Sequence, residues 1–324
     1  MSTLERIRAK LAPDLERLEG CIRSQLATGN PMLQEIIDNS LKSKGKMIRP
    51  IMVFLTARLL QGITDRVVAG AAALELLHNA SLVHDDVVDE SAERRGAPTV
   101  NAVWDNHVAV LVGDFFVSSS LQLAIRTDNM AIIDTVAMLG KTLSLGELDQ
   151  IYNAMHGEFS EESYLGVITF KTASLFKACA LTAANALDID DSRSKALVRF
   201  AELLGICFQM RDDVFDYFSD PAVGKPTGND LREDKVTLPL LHVLADKSLP
   251  LNEAMNALVR RGNLSDSEIE TLTTYAKTYG GIEYTYRRMA ELRAEAVHVL
   301  DCLPDSEDKR DLIDIFDFII ARNF

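Results

Sequence analysis

Two carboxylate clusters in the chain are candidates for chemistry: Asp85-Asp86-Val87-Val88-Asp89 and Asp212-Asp213-Val214-Phe215-Asp216. On a helix, positions i and i+4 lie on one face about a turn apart. Each cluster therefore presents its outer aspartates side by side. Like charges held that close repel unless cations bind between them. Carboxylate oxygens are hard ligands, and Mg²⁺ takes one or two of them together with water and phosphate oxygens. A single acidic cluster is ordinarily a solvated helix face. Two of the same pattern, each following a strongly apolar segment, point instead to a repeated metal-binding unit.

Basic residues recur near these clusters. Gly45-Lys46-Met47-Ile48-Arg49-Pro50 offers cations at i and i+3, and Arg94-Arg95 follows Asp89 closely. Lys171-Thr172 interrupts an apolar stretch, and Lys225 and Lys235 flank a Gly/Asn/Asp loop. Guanidinium forks and ammonium point charges both suit phosphate. Taken singly, each is an ordinary surface cation. Lys171 is the exception: it lies between VITF and ASLF, where a buried unpaired lysine would be costly. Aspartates, cations and an implied hard metal together describe a site for phosphorylated ligands.

The elements that carry these residues read as helices. Leu4, Ile7, Leu11, Leu15 and Leu18 mark one stripe, Met47 to Leu60 a second helix, and residues 65–89 a long helix apolar on nearly all sides. Such a helix belongs inside a bundle. Further helices are expected at 101–125, 129–152, 161–186, 192–218, 236–245, 251–261, 266–278, 281–300 and 306–321. Strand signals are nearly absent, and 96–99 and 219–230 read as loops. The expected fold is all-α: a large helical bundle with ligand sites between facing helices. With 47% hydrophobic residues and no Pro/Gly-rich linker, a single domain over 1–324 is expected.

The formal net charge of −14 argues against nucleic acid and anionic lipid as partners. Cys21, Cys179, Cys207 and Cys302 form no CxxC pair, which suits a reducing, cytoplasmic setting. The N-terminal residues carry charges throughout, unlike a signal peptide. No uncharged apolar run approaches ~18 residues, so no transmembrane helix is expected.

In order, GKMIRP, HNASLVHDDVVDESAERRG, Gly113-Asp114, FKTASLF, FQMRDDVFDYFSD and GKPTGNDLREDKVTLP resemble the trans-polyprenyl diphosphate synthases over residues 40–245. The resemblance implies the isoprenoid synthase fold with a central active-site cavity. It also implies a Mg²⁺-dependent prenyltransferase, with Mn²⁺ as a possible substitute, in which isopentenyl diphosphate condenses with an allylic diphosphate. Asp85, Asp86, Asp89, Asp212, Asp213 and Asp216 would be the metal-binding aspartates. Lys46, Arg49, His78 and Arg95 would bind isopentenyl diphosphate. Arg94, Lys171, Thr172, Gln209, Lys225 and Lys235 would bind the allylic diphosphate. Many relatives read REGK where this chain has Arg232-Glu233-Asp234-Lys235, and the extra Asp234 is expected to weaken the hold of Lys235 on phosphate. Related enzymes are commonly homodimers, and the apolar segment around 109–125 could supply an interface.

Product length depends on the positions one turn before Asp85, where family members with short products carry bulky aromatics. Here they are Ala80 and Ser81. A helix of ~20 residues is ~30 Å long, so small residues there imply a long-chain product, from hexaprenyl to decaprenyl, suited to a quinone side chain. A tunnel blocked deeper, by Phe115 or Phe116, would imply a farnesyl or geranylgeranyl product. Three other readings are weaker. A terpene cyclase would carry an Asn/Ser/Glu-type second motif. A di-iron carboxylate bundle would use Glu75-x-x-His78 and Glu295-x-x-His298. A non-catalytic subunit would lose motif aspartates. His84 is expected to make a local hydrogen bond, His107, His156 and His242 to be structural or exposed, and Trp104 to pack.

Overall fold

The computed structural model describes residues 2–42, 45–94, 96–218 and 227–321. The helices in chain order are α1 (Thr3–Lys10), α2 (Ala12–Leu26), α3 (Pro31–Lys42), α4 (Ile48–Leu60), α5 (Asp65–Val88), α6 (Val100–Val103), α7 (Asn106–Arg126) and α8 (Met130–His156). They continue as α9 (Glu161–Ile168), α10 (Ser174–Ala186), α11 (Ser192–Phe215), α12 (Asn229–Arg232), α13 (Leu238–Ala245), α14 (Asn252–Arg261), α15 (Asp266–Thr278), α16 (Gly281–Val299) and α17 (Glu307–Ala321). The all-α expectation holds. Among the described residues, strand is confined to an antiparallel pair, β1 (Glu93–Arg94) and β2 (Ala97–Pro98).

Several boundaries differ from those read off the sequence. The first apolar stripe is two helices that meet at Leu11, and α3 is a helix beyond those expected from the sequence. The segment at 101–125 breaks at Trp104–Asp105, because the Asp105 side chain accepts the Val108 N–H and starts a new helix. The segment at 161–186 contains a π-helical turn, Thr169–Ala173, between α9 and α10. Within the expected 219–230 loop, residues from 229 form α12; positions 219–226 lie outside the described residues.

The chain forms two compact units. Unit 1 comprises Met1–Lys141, Leu175–Ala201 and Cys302–Leu312, and unit 2 comprises Thr142–Ser174, Glu202–Asp301 and Ile313–Phe324. In unit 1, α5 packs along α7. Small residues line the contact, and the buried Ser120 hydroxyl donates to the Ala73 carbonyl at 2.7 Å. Gly113 makes room for the His84 ring: a Cβ there would lie 2.2 Å from Nε2. The Asp311 carboxylate, fully buried, is paired with Arg6 at 2.5 Å and Lys10 at 2.7 Å, which satisfies a charge that burial would otherwise make costly.

Unit 2 is built on a core of Leu240, Val243, Leu244, Met255, Val259, Ile269, Leu272, Tyr275 and Ile282 from α13–α16, joined by Val214 and Tyr217 of the second aspartate segment. This core anchors the end of α11. The helix α15 begins with a capping box in which Ser265 and Glu268 satisfy each other's backbone amides.

By length and composition alone, three segments among the described residues could cross a membrane: Asp65–Val88, Asn106–Arg126 and Glu161–Ala186. Each holds an apolar window interrupted by at most two charged residues rather than an uninterrupted uncharged run. Within the protein 67%, 44% and 61% of the respective windows are buried, so packing accounts for much of their apolar surface.

Candidate active site

The first aspartate segment closes α5 in unit 1. Asp86 is buried and accepts a hydrogen bond from Arg94 Nε at 2.7 Å. Burial pushes its carboxyl above the usual range, and Arg94 pulls it back. Asp85 is half-buried and Asp89 exposed. Arg94 is carried by the short hairpin, so its partner in the structure is an aspartate of the motif itself. Asn101 Nδ2 donates to the Asp86 carbonyl at 3.2 Å and to the Ser91 carbonyl at 3.0 Å, which fixes the turn after the helix.

The other sequence-predicted residues of unit 1 differ in burial. Lys46 is exposed. Arg49 is half-buried with its guanidinium 5.7 Å from the Phe176 ring centre, a cation–π distance. His78 is buried on α5. Arg95 lies outside the described residues. Ala80 is fully buried, whereas Ser81 is half-buried with its hydroxyl donating to the His78 carbonyl at 2.9 Å. Of the two small residues, Ser81 is the more open. His84 does not bond within its own helix turn as expected. It reaches α7, 3.3 Å from the Val110 carbonyl and 3.5 Å from Asp114, because Gly113 opens the space.

The second segment is organised by unit 2. Asp213 is 5% exposed and receives two side-chain hydrogen bonds: Tyr164 Oη donates to Oδ2 at 2.6 Å, and Gln209 Nε2 donates to Oδ1 at 2.7 Å. Thr172 Oγ1 donates to Gln209 Oε1 at 2.6 Å, so a continuous chain of bonds runs from Thr172 to the aspartate. Burial pushes Asp213 up to about 7, while the bonds from Tyr164 and Gln209 pull it down. Asp216 accepts the backbone amides of Asn229 and Asp230 at 2.9 and 3.0 Å, serving the N-terminus of α12. That turn requires Gly228, which has φ +77° and donates its amide to the Asp216 carbonyl. Asp212 is half-buried.

Lys171, Thr172, Gln209, Asp213 and Lys235 line one cavity of 150 Å³ in unit 2. The structure thus gathers five sequence-predicted residues around one space. Lys171 sits on the π-helical turn, a feature frequent at functional sites. It is not unpaired: Nζ lies 2.5 Å from Glu147 Oε1 and 3.4 Å from Gln150 Oε1 on α8. For Lys235, the sequence pointed to Asp234 as the competing carboxylate. Glu233 also approaches the lysine, with Oε2 2.5 Å from Nζ, and Asp234 has φ +55° with its carboxylate near Gly262. Lys225 lies outside the described residues. Tyr164, Glu147 and Glu233 were missed by sequence reasoning. Only the Gly146-Glu147 pair within an apolar helix offered a signal, and a lone glutamate there reads as solvated surface.

Among the described residues, no three His, Cys, Asp or Glu side chains converge closely enough to cage a metal by themselves. The donor set, hard carboxylates beside cations, fits a metal that completes its shell with water and phosphate oxygens. It does not fit the di-iron pattern: His298 is exposed and bonded to Asp301 at 2.8 Å. His107 and His156 are exposed, His242 stacks on Tyr284 with ring centres 3.8 Å apart, and Trp104 lies at the surface.

The chain is similar to several known proteins. The structure of a polyprenyl synthase from Caulobacter crescentus, complexed with calcium and isoprenyl diphosphate, superposes with a TM-score of 0.90 at 29% identity, covering 98% of each chain. A geranylgeranyl pyrophosphate synthase from Bacteroides thetaiotaomicron gives 0.85 at 37% identity, covering 99% of each. The octaprenyl diphosphate synthase of Haemophilus influenzae is 33% identical, spanning 100% of this chain and 98% of its own length. Fold and site therefore define a prenyltransferase with the helical isoprenoid synthase fold. The family model for polyprenyl synthetases matches residues 30–276, and the chain belongs to that family.

Proposed function

We propose that the chain condenses isopentenyl diphosphate with an allylic diphosphate, farnesyl or geranylgeranyl diphosphate, and extends it to a long all-trans polyprenyl diphosphate for a quinone side chain. The observation that carries this reading is the cavity in which Lys171, Thr172, Gln209 and Lys235 surround the buried Asp213. Lysines, a hydroxyl and an amide around a motif aspartate suit a diphosphate headgroup. Bound Mg²⁺, or Mn²⁺, would neutralise charge that develops on the departing diphosphate. Asp85 and Asp89 in the first segment, and Asp212 in the second, are the first candidates to hold metal in their own segments. Asp86 accepts the Arg94 bond on one oxygen and offers the other as a candidate ligand, whereas both oxygens of Asp213 and of Asp216 accept hydrogen bonds that orient the segments, so these two would bind metal by sharing or exchanging those bonds.

The allylic fragment ionises to a delocalised cation, the isopentenyl double bond attacks it, and loss of a proton restores an alkene. Lys171 and Lys235 hold the allylic diphosphate, joined by Lys225 and Arg94. Lys46, Arg49, His78 and Arg95 hold isopentenyl diphosphate. No protein nucleophile is required, because the isopentenyl double bond is the nucleophile, and the released diphosphate can act as the base that takes the proton.

Two further expectations belong to this reading. The chain acts as one cytoplasmic domain with no membrane span; its described cysteines are free thiols, and the family match runs through both compact units. It works as a homodimer, supported by exposed apolar residues on α7 (Val110, Leu111, Ile125) and on α8 (Leu145, Leu148, Tyr152, Met155). A short-chain product is the competing reading, supported by the 37% identity to the geranylgeranyl synthase and by the complete burial of Ala80. Chromatography of products from farnesyl diphosphate, isopentenyl diphosphate and Mg²⁺ separates the two. Accumulation of species with six to ten isoprene units is expected; arrest at geranylgeranyl diphosphate would overturn the long-chain reading.

A further inference from the structure

Lys171 is held by a feature that the aspartate motifs do not explain. The helix α8 carries Gly146 and Glu147 in succession. A Cβ at Gly146 would lie 2.9 Å from the backbone nitrogen of Lys171 and 3.1 Å from Phe170 Cβ. The absence of a side chain there lets the π-helical turn approach α8 directly. The next residue, Glu147, then meets the lysine head at 2.5 Å, and Gln150, one turn on, lies 3.4 Å from the same nitrogen. Both charged side chains are about equally shielded, 28% exposed for Lys171 and 29% for Glu147. Gln150 and Lys171 line the cavity with Asp213.

An ammonium group has three donors. Glu147 uses one and Gln150 lies within reach of another, so a donor remains for a phosphate oxygen without breaking the pair. The carboxylate nevertheless stays beside any diphosphate that Lys171 contacts, and its negative charge opposes the ligand's at short range. We propose that Glu147 is a built-in counter-charge to Lys171 that weakens the hold on diphosphate and so speeds departure of inorganic pyrophosphate after each condensation. The inference rests on the reading of Lys171 as a diphosphate ligand. Glu147 touches no reacting atom in this scheme; it acts through the lysine as a positioning residue.

The test is titration of the full-length protein with inorganic pyrophosphate and Mg²⁺ by calorimetry, together with steady-state turnover. Glu147→Gln keeps a hydrogen-bond partner for Lys171 and removes the charge. It is expected to bind pyrophosphate about tenfold more tightly or better, the size expected from deleting one nearby like charge. Inhibition by pyrophosphate should rise in parallel, with kcat falling if product release limits the rate. Glu147→Asp retains the charge and should bind within about threefold of wild type. Lys171→Met should bind pyrophosphate more weakly in either background. If Lys171→Met weakens binding and Glu147→Gln weakens it too, or leaves it unchanged, Glu147 merely props the lysine and the counter-charge inference is overturned. If Lys171→Met binds as wild type does, Lys171 is not a diphosphate ligand and both readings fall. Thermal melts of each variant identify loss of fold, which a tightened pyrophosphate affinity could not arise from.

Discussion

Tyr164→Phe removes one oxygen from the surroundings of the second aspartate motif and leaves the ring in place. That oxygen donates at 2.6 Å to Asp213, both partners being buried. A hydrogen bond to a charged group contributes about 1.5–3 kcal/mol net. Gln209 continues to hold the other carboxylate oxygen, so the aspartate is loosened rather than released. If its orientation matters only when diphosphate charge develops, the loss falls on kcat, by about 10- to 150-fold for that energy. The KM values for both substrates should stay within about threefold. Steady-state kinetics at saturating Mg²⁺ reads this directly, and urea unfolding measures how much of the loss is already present in the resting fold. A double-mutant cycle with Asp213→Ala isolates the pair and should give a coupling of about 1.5 kcal/mol or more. Wild-type kcat in Tyr164→Phe with a coupling below about 0.5 kcal/mol would refute the idea that this bond orients the motif.

Metal removal is the broadest check: EDTA should abolish turnover and added Mg²⁺ restore it, whereas full activity in EDTA would sink the two-motif reading. Ser81→Phe, at the more open of the two small positions before Asp85, should shorten the product to about three or four isoprene units; an unchanged product profile on chromatography would remove Ser81 from the tunnel wall. Gly146→Ala must push the Phe170–Lys171 backbone away from α8 and should cost about 1–3 kcal/mol of stability along with activity, so an equally stable and active variant in urea and turnover assays would show that the close approach is dispensable. Glu268 is held down to about 2, first by the Ser265 amide and then by Arg261, against a usual value of 4.5. A depressed carboxylate stabilises above its unfolded value and loses that stabilisation as pH falls through the folded one. The Tm gap between wild type and Glu268→Gln should therefore be full at pH 6 and close as pH approaches 2; a pH-independent gap would contradict the assignment.

The helical class was legible in the sequence because amphipathic periodicity and capping residues act over three or four positions. The DDxxD spacing, the order of the surrounding motifs and the cations Lys171 and Lys235 were legible for the same reason: each is a local pattern. What could not be read is where the backbone departs from regular helix in response to a distant neighbour. The π-helical turn at Thr169–Ala173 lies against Gly146, more than twenty residues earlier, and the hairpin that brings Arg94 to Asp86 needs a turn through Gly96. The site's electrostatics were hidden in the same way. Tyr164 meets Asp213 across 49 residues, and Glu147 meets Lys171 across 24, so the sequence showed an isolated lysine where the folded protein has an ion pair. Conversely, the sequence drew attention to Asp234 next to Lys235, whereas Glu233, two residues before it, lies 2.5 Å from the ammonium. Residue type and spacing determined which chemistry was available; the tertiary structure decided which charges are shielded, which are paired and which are bonded, because burial and hydrogen-bond partners are set by neighbours in space.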